Sequence, residues 1–206
     1  MNPISKLSTL FADFPGIGPR QAKRFVYFLL SRDPHYLLEL SRIIAELKKS
    51  STLCASCFRF YAKTADPGFL CSICNSVDRD RSTLLIVEKD VDLENIERSG
   101  LFTGTYFILG GRVPILEKKP LERIRGNELL NHIQKKIQKK ELREIILALS
   151  LTRDGEYTME FITAMLQPIT RLHNVKLSSL GRGLSTGIEL EYSDSETLKN
   201  ALNHRI

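Results

Sequence analysis

All four cysteines of the chain fall within 21 residues, as Cys54-x2-Cys57-x13-Cys71-x2-Cys74. Two CxxC knuckles at this separation can wrap four thiolates tetrahedrally around one Zn²⁺. Two disulfides are the first rival reading. They require an oxidising compartment. A redox CxxC is the second, and it leaves the other knuckle unexplained. With all four ligands sulfur, no open coordination position remains for catalysis, so the expected metal is structural. It replaces a core that roughly 30 residues are too few to build. This fixes a small metal module at 54–82, with a turn at Asp66-Pro67-Gly68 between the knuckles.

Around it, composition speaks for an ordinary globular chain. Of 206 residues, 42% are hydrophobic and 26% charged, which suits packed rather than disordered segments. The longest apolar runs are a handful of residues, too short to span a bilayer. The N-terminus is amphipathic and lacks the continuous apolar stretch of a signal peptide. The expected compartment is the cytoplasm. The net charge is +6, and its distribution is uneven. Residues 1–53 hold 8 basic and 4 acidic residues, a net +4, and residues 54–82 add a net +1. A basic end on a nearly neutral body points to a polyanion partner, against the plainer reading of a solvated, lysine-rich surface.

Residues 3–14 place Ile4, Leu7, Phe11 and Phe14 on one helical face. Pro15-Gly16-Ile17-Gly18-Pro19 then breaks the helix. A second helix is expected from Pro19, with Ala22, Phe25, Val26, Leu29 and Leu30 as its stripe. Asp33-Pro34 reads as the N-cap and first residue of a third, carrying Leu37, Leu40, Ile44 and Leu47. Two helices joined by PGIGP resemble a helix-hairpin-helix. Gly16 and Gly18 let backbone approach a phosphate, the following helix N-terminus faces it, and Arg20, Lys23 and Arg24 flank the turn. Such contacts grip the DNA backbone without reading bases. The bland alternative is an αα-corner whose glycines only make the turn.

From Thr83 the pattern becomes alternating. Strands are expected at Leu84–Val87, Thr105–Leu109, Glu144–Leu149 and Val175–Leu180, with helices at 91–99, 126–140 and 155–166. That alternation implies a mostly parallel sheet covered on both faces. A further strand at Ile188–Tyr192 and a helix at Ser195–Leu202 close the chain. Acidic residues gather at the strand ends: Glu88, with Asp90 and Asp92 beyond it, and Asp154 with Glu156. This is where parallel sheets collect functional groups, and carboxylates there can hold Mg²⁺; acids at helix starts are also ordinary. The layout resembles a Toprim fold, in which the glutamate acts as acid/base and the later pair holds metal.

Two motifs carry less. Gly183-x-Ser185-x-Gly187 fits a hydrolase nucleophile elbow, but the residues after it read as a strand where the elbow needs a helix. KKIQKKELR places Lys135, Lys136, Lys139 and Lys140 on one helix side; this reads as a solvated face, with a supplementary DNA contact as the alternative. The four histidines, at 35, 132, 173 and 204, form no ligand-spaced pair.

The order of modules is more specific than any part. PGIGPRQAKRFVYFLL, the two knuckles, RDRSTLLIVE, VEKDVDLENIERSG, LGG and GRGLSTGIELEYSDSETLKNAL resemble, in sequence and over essentially the whole chain, the RecR family of bacterial recombination mediators. The resemblance implies four modules: a helix-hairpin-helix (1–53), a four-cysteine zinc finger (54–82), a Toprim-like α/β domain (83–180) and a C-terminal strand-helix segment (181–206) serving oligomerisation. It implies a non-enzymatic protein of the nucleoid that forms rings, dimeric or tetrameric, around single-stranded, gapped or duplex DNA. Its partners would be RecO-like and RecF-like proteins, and its task the loading of RecA on gapped single strands. Gly16, Gly18, Arg20, Lys23 and Arg24 would face DNA, and Cys54, Cys57, Cys71 and Cys74 would hold zinc. Glu88 and Asp92 match the family's acidic positions, for partner contact or metal, and Asp194 matches a C-terminal acidic one. The chain departs from the family pattern in a longer inter-knuckle loop, in Arg112-Val113-Pro114 after the Gly-Gly turn, and in Ser150-Leu151-Thr152 before Asp154-Gly155-Glu156. Two other functions compete: a Mg²⁺-dependent Toprim nuclease or primase-like phosphoryl transferase using Glu88, Asp154 and Glu156, and a zinc-ribbon interaction module without DNA.

Overall fold

The computed structural model describes residues 2–63 and 68–181. The expected turn at Asp66-Pro67, the strand at 188–192, the helix at 195–202, the Gly183–Gly187 motif, Asp194 and His204 lie outside them. The chain forms two compact units, residues 1–52 and 53–206.

The first unit is helical. α1 spans Pro3–Ala12, α2 Pro19–Leu30 and α3 Pro34–Ser50. α1 starts on the Asn2 side chain, which accepts from the Ser5 N–H at 2.8 Å. It ends two residues earlier than its apolar spacing suggests, because Phe14 N–H turns back onto the Phe11 carbonyl. α1 and α2 pack through Phe11 against Phe25, with ring centroids 5.7 Å apart, and bury Ala22 and Val26. α3 is capped by Asp33, whose carboxylate accepts from Tyr36 N–H at 3.0 Å. Its expected stripe is another matter: α3 buries no residue, and Ile44 is 61% exposed.

β1 (Ser51–Leu53) falls at the boundary between the units; β2 (Phe60–Ala62) follows the first knuckle, and a one-turn helix, α4 (Ser72–Asn75), carries the last cysteine. Then come β3 (Asp80–Val87), α5 (Asp90–Ser99), β4 (Gly104–Ile108), the one-turn α6 (Pro120–Arg123), α7 (Gly126–Gln138), β5 (Glu144–Ala148), α8 (Arg153–Leu172) and β6 (Lys176–Ser179). The sheet order is β4-β3-β5-β6, and every pairing is parallel. The short helices and strands around the knuckles carry too few residues for a periodic signal. α8 runs past its expected end through Pro168. Proline removes one hydrogen bond, but Ile162, Leu166 and Thr170 keep one face of α8 buried across the break.

Side-chain alternation along the strands sorts the core into two faces. Leu84 and Ile86 of β3, Phe107 of β4, and Ile145 and Leu147 of β5 pack with Leu129 and Ile133 of α7 and Ile162 and Leu166 of α8. Leu85, Val87, Tyr106 and Ile108 pack on the other side with Leu93 of α5 and with Cys54, Cys57 and Cys71. β4 is an edge strand, and its outward Ile108 N–H donates to the Cys57 carbonyl at 2.9 Å. Arg79, ahead of β3, pairs with Glu97 of α5, which also accepts from the Tyr106 hydroxyl at 2.6 Å. Among the described residues, no helix is long and apolar enough to cross a membrane.

The turn from β5 into α8 requires a bare backbone at Gly155. A Cβ there would lie 2.0 Å from the Ser150 carbonyl oxygen and 2.7 Å from its hydroxyl. Gly155→Ala should therefore destabilise by about 2 kcal/mol, as overpacking against rigid backbone does. Urea unfolding should show the midpoint shift with an unchanged m-value.

Candidate nucleic-acid interface and metal centre

The PGIGP turn is built as the sequence suggests. Gly16 has φ +78°, a left-handed conformation that side chains rarely adopt. Gly18 is the N-cap of α2, with no side chain closing that end and Pro19 in the first turn. Nothing lies within 4 Å of a Cβ placed at either glycine, so the backbone leading into α2 is open to a ligand. Arg20, Lys23 and Arg24 are all exposed on the first two turns of α2. Arg24 donates to the Gln21 side chain at 3.3 Å. An uncapped helix start with free first-turn N–H groups and three cations beside it can hold an anion such as a phosphodiester.

The four cysteines converge. Their sulfurs all lie within 4.8 Å of one another, and Cys57 and Cys71 Sγ are 3.6 Å apart. That is far beyond the roughly 2.05 Å of a disulfide and close to the ~3.8 Å edge of a tetrahedron of thiolates about 2.3 Å from one metal. Phe58, with φ +62°, reverses the chain after the first knuckle. Ala55 N–H donates to the Phe69 carbonyl, and Cys71 N–H to Cys54 Sγ at 3.4 Å, tying the knuckles together. Contact with Cys57 drives the Cys54 thiol far below its ordinary range, and contact with Cys54 pushes Cys57 far above it. A cation at the centre lets all four ionise. The residues present fit a structural metal, and three of them are buried in the core.

The acidic residues do not form one site. Glu88 closes β3 and is 3% exposed. Its Oε1 accepts from Ser150 N–H at 2.7 Å and Ser150 Oγ at 2.6 Å, and its Oε2 faces Arg112 Nε at 3.4 Å. Arg112 also donates to Thr152 Oγ1 at 2.8 Å, and Thr152 caps α8. Asp92 is spent on its own helix, accepting from Lys89 N–H at 2.9 Å. Asp90 accepts from Phe60 N–H at 2.7 Å and so ties α5 to the knuckle segment. Asp154 and Glu156 stand in the first turn of α8, where negative charge suits the helix dipole. Among the described residues, the only cluster with metal-ligand geometry is the four cysteines. In the sequence, Arg112-Val113-Pro114 and Ser150-Leu151-Thr152 read as departures in the family's partner-facing region, with no link to Glu88. The only signal in the sequence is position: each departure follows the end of an expected strand, as Glu88 does.

Chelation of the cysteine cluster should uncover the β4 edge and its core face together. The expected loss is about 3 kcal/mol, roughly 10 °C in the unfolding midpoint of a chain this size, with about one metal ion per chain released and read by mass spectrometry. Arg112→Ala leaves a buried carboxylate with only Ser150 as donor. It should cost about 1–3 kcal/mol. Millimolar Mg²⁺ should restore part of that in the variant and raise the stability of the parent chain not at all, as measured by thermal unfolding.

Comparison with known proteins agrees with this organisation. Residues 4–48 match the RecR helix-hairpin-helix family, 82–178 the Toprim domain, and 183–206 the RecR C-terminal family. The chain is 34% identical over 203 residues to the recombination protein RecR of Chloroflexus aurantiacus, covering 98% of this chain and 93% of that one. It is 33% identical over 206 residues to that of a Cyanothece species (98% and 95% covered), and 36% identical over 192 residues to that of Francisella philomiragia (93% and 88%). A Toprim match does not by itself show catalysis, and these relatives carry the name of a recombination protein. With matches of this extent at both ends and across the middle, the chain belongs to the RecR family of recombination proteins.

Proposed function

We propose that the chain is a non-enzymatic, DNA-binding recombination mediator that assembles into a ring-shaped clamp. Its task would be to help load RecA on gapped single strands, with RecO-like and RecF-like proteins, in the cytoplasm at the nucleoid. The observation that carries this reading is the open PGIGP turn with Arg20, Lys23 and Arg24 exposed beside an uncapped helix start. That arrangement offers backbone N–H groups and cations to phosphates and nothing to base edges. It suits binding with little sequence preference. The apolar stripe of α3, left uncovered in the single chain, supports self-association. The metal is read as Zn²⁺, because an all-thiolate tetrahedral set suits it.

Phosphoryl transfer is the weaker reading. It needs Glu88 free to meet a metal or substrate, and the guanidinium of Arg112 already neutralises that carboxylate.

Replacing Arg20, Lys23 and Arg24 together by glutamate should lower affinity for gapped or single-stranded DNA by about 100-fold or more. The slope of log K against log salt should flatten by about one for each phosphate no longer held. Fluorescence anisotropy at several salt concentrations, with light scattering for oligomeric state, tests both halves of the reading. A strict monomer, or affinity unchanged by the reversal, would overturn it.

A further inference from the structure

The second unit carries a basic site of its own. A pocket of about 440 Å³ opens between α7 and the cysteine knuckles. His132, Lys135 and Lys136 of α7 and Lys139 just after it line it, with Arg81 of β3 beside them. Two carboxylates, Glu128 and Glu141, and the cluster cysteine Cys74 also line it, so Lys135, Lys136, Lys139 and Arg81 face two carboxylates and the edge of the metal centre.

Two of these groups are placed at a cost that a ligand would offset. Lys136 is only 8% exposed, and its ammonium donates to the Arg81 carbonyl at 2.9 Å. It makes no ion pair with any described residue. Glu141 acts on it only from beyond ion-pair distance, and a desolvated cation with no carboxylate in contact is an attractive place for an anion. His132 Nε2 is buried and has no hydrogen-bond partner among the described residues. A buried polar atom left alone calls for an explanation, and a turn of the ring toward the pocket it lines would bring it to an anion oxygen. Lys135 and Lys139 are exposed and one helical turn apart, so they extend the positive surface from the pocket along α7. Phe58 and Leu70 add an apolar wall, against which a base can lie and which a bare phosphate ion would leave unused.

We propose that this pocket is a second nucleic-acid contact that seats a phosphodiester and neighbouring base of a single strand, while Lys135 and Lys139 hold the adjacent backbone. The inference rests on the reading that the chain binds DNA, and it assigns part of that binding to the second unit.

The test uses the full chain and a fluorescein-labelled oligo(dT) in a salt series. The pocket variant is Lys135→Glu/Lys139→Glu, which leaves the buried Lys136 in place. The control is Lys118→Glu/Arg171→Glu, an equal change of charge at exposed positions outside the pocket. The pocket variant should lose about tenfold more affinity than the control, with a salt slope flatter by about two. Equal affinity and slope in the two variants would overturn the inference and leave the reading of function intact. A parent chain that does not bind the oligonucleotide overturns both. A thermal shift produced by inorganic phosphate in the parent but not the pocket variant, with oligonucleotide binding equal in the two, would assign the pocket to free phosphate and likewise overturn it.

Discussion

The second unit depends on keeping β3 covered on both faces. Leu84 and Ile86 point to one side and Leu85 and Val87 to the other, and all four are buried. α7 and α8 close the first face in the usual manner of a parallel sheet. On the second face α5 supplies Leu93, and the cysteine knuckles complete the cover with Cys54, Cys57 and Cys71. The same knuckle closes the outer edge of β4 through the Cys57 carbonyl. An unpaired parallel edge is a template for unwanted pairing. The cysteine cluster is therefore more than a staple for its own short segment. It acts as a wall of the sheet's core, so a metal held there would couple its occupancy to sheet integrity through shared contacts.

Glu88 is a second constraint, set at the C-terminal end of that strand. A carboxylate cannot be buried there unless charge and hydrogen bonds meet it. Ser150 gives two donors and Arg112 a guanidinium. Arg112 in turn reaches Thr152, the cap of α8. One buried acid thus links the end of β3, the loop after β4 and the start of α8. Gly155 permits this closeness, because its backbone packs directly on Ser150. The site that parallel-sheet topology makes available for chemistry is occupied by an internal ion pair, which is consistent with a Toprim scaffold used for shape and contact.

Much of this was legible in the sequence, for identifiable reasons. The cysteine spacing announced a tetrahedral cluster because four thiolates in two CxxC pairs have few other uses. The Pro-Gly alternation announced the turn before α2, and Asp33-Pro34 the start of α3, because these residues act locally. The strands of the sheet were visible as short apolar runs. The sequence could not show that Glu88 pairs with Arg112 or that Asp92 caps α5, since both depend on the local geometry of the folded chain. Nor could it show that cysteines and sheet share one core. Periodicity placed Leu37, Leu40, Ile44 and Leu47 on one face of α3 correctly, yet it carries no information on what covers that face.

That uncovered face bears on how the first unit can exist. Among its described residues only Ala22 and Val26 are fully buried, and units of this size are marginal even with a good core. An amphipathic helix of 17 residues that leaves Ile44 and Leu47 to water forgoes a stabilisation of about 1.5–3 kcal/mol for each large side chain it could bury. Apolar stripes left open on this scale mark surfaces that meet another molecule. The same helices carry the most basic part of the chain. A unit that gains its missing core by self-association would bring several copies of Arg20, Lys23 and Arg24 together. Such an association would both stabilise the fold and concentrate its charge, so that a weak basic end would become a strong site through assembly.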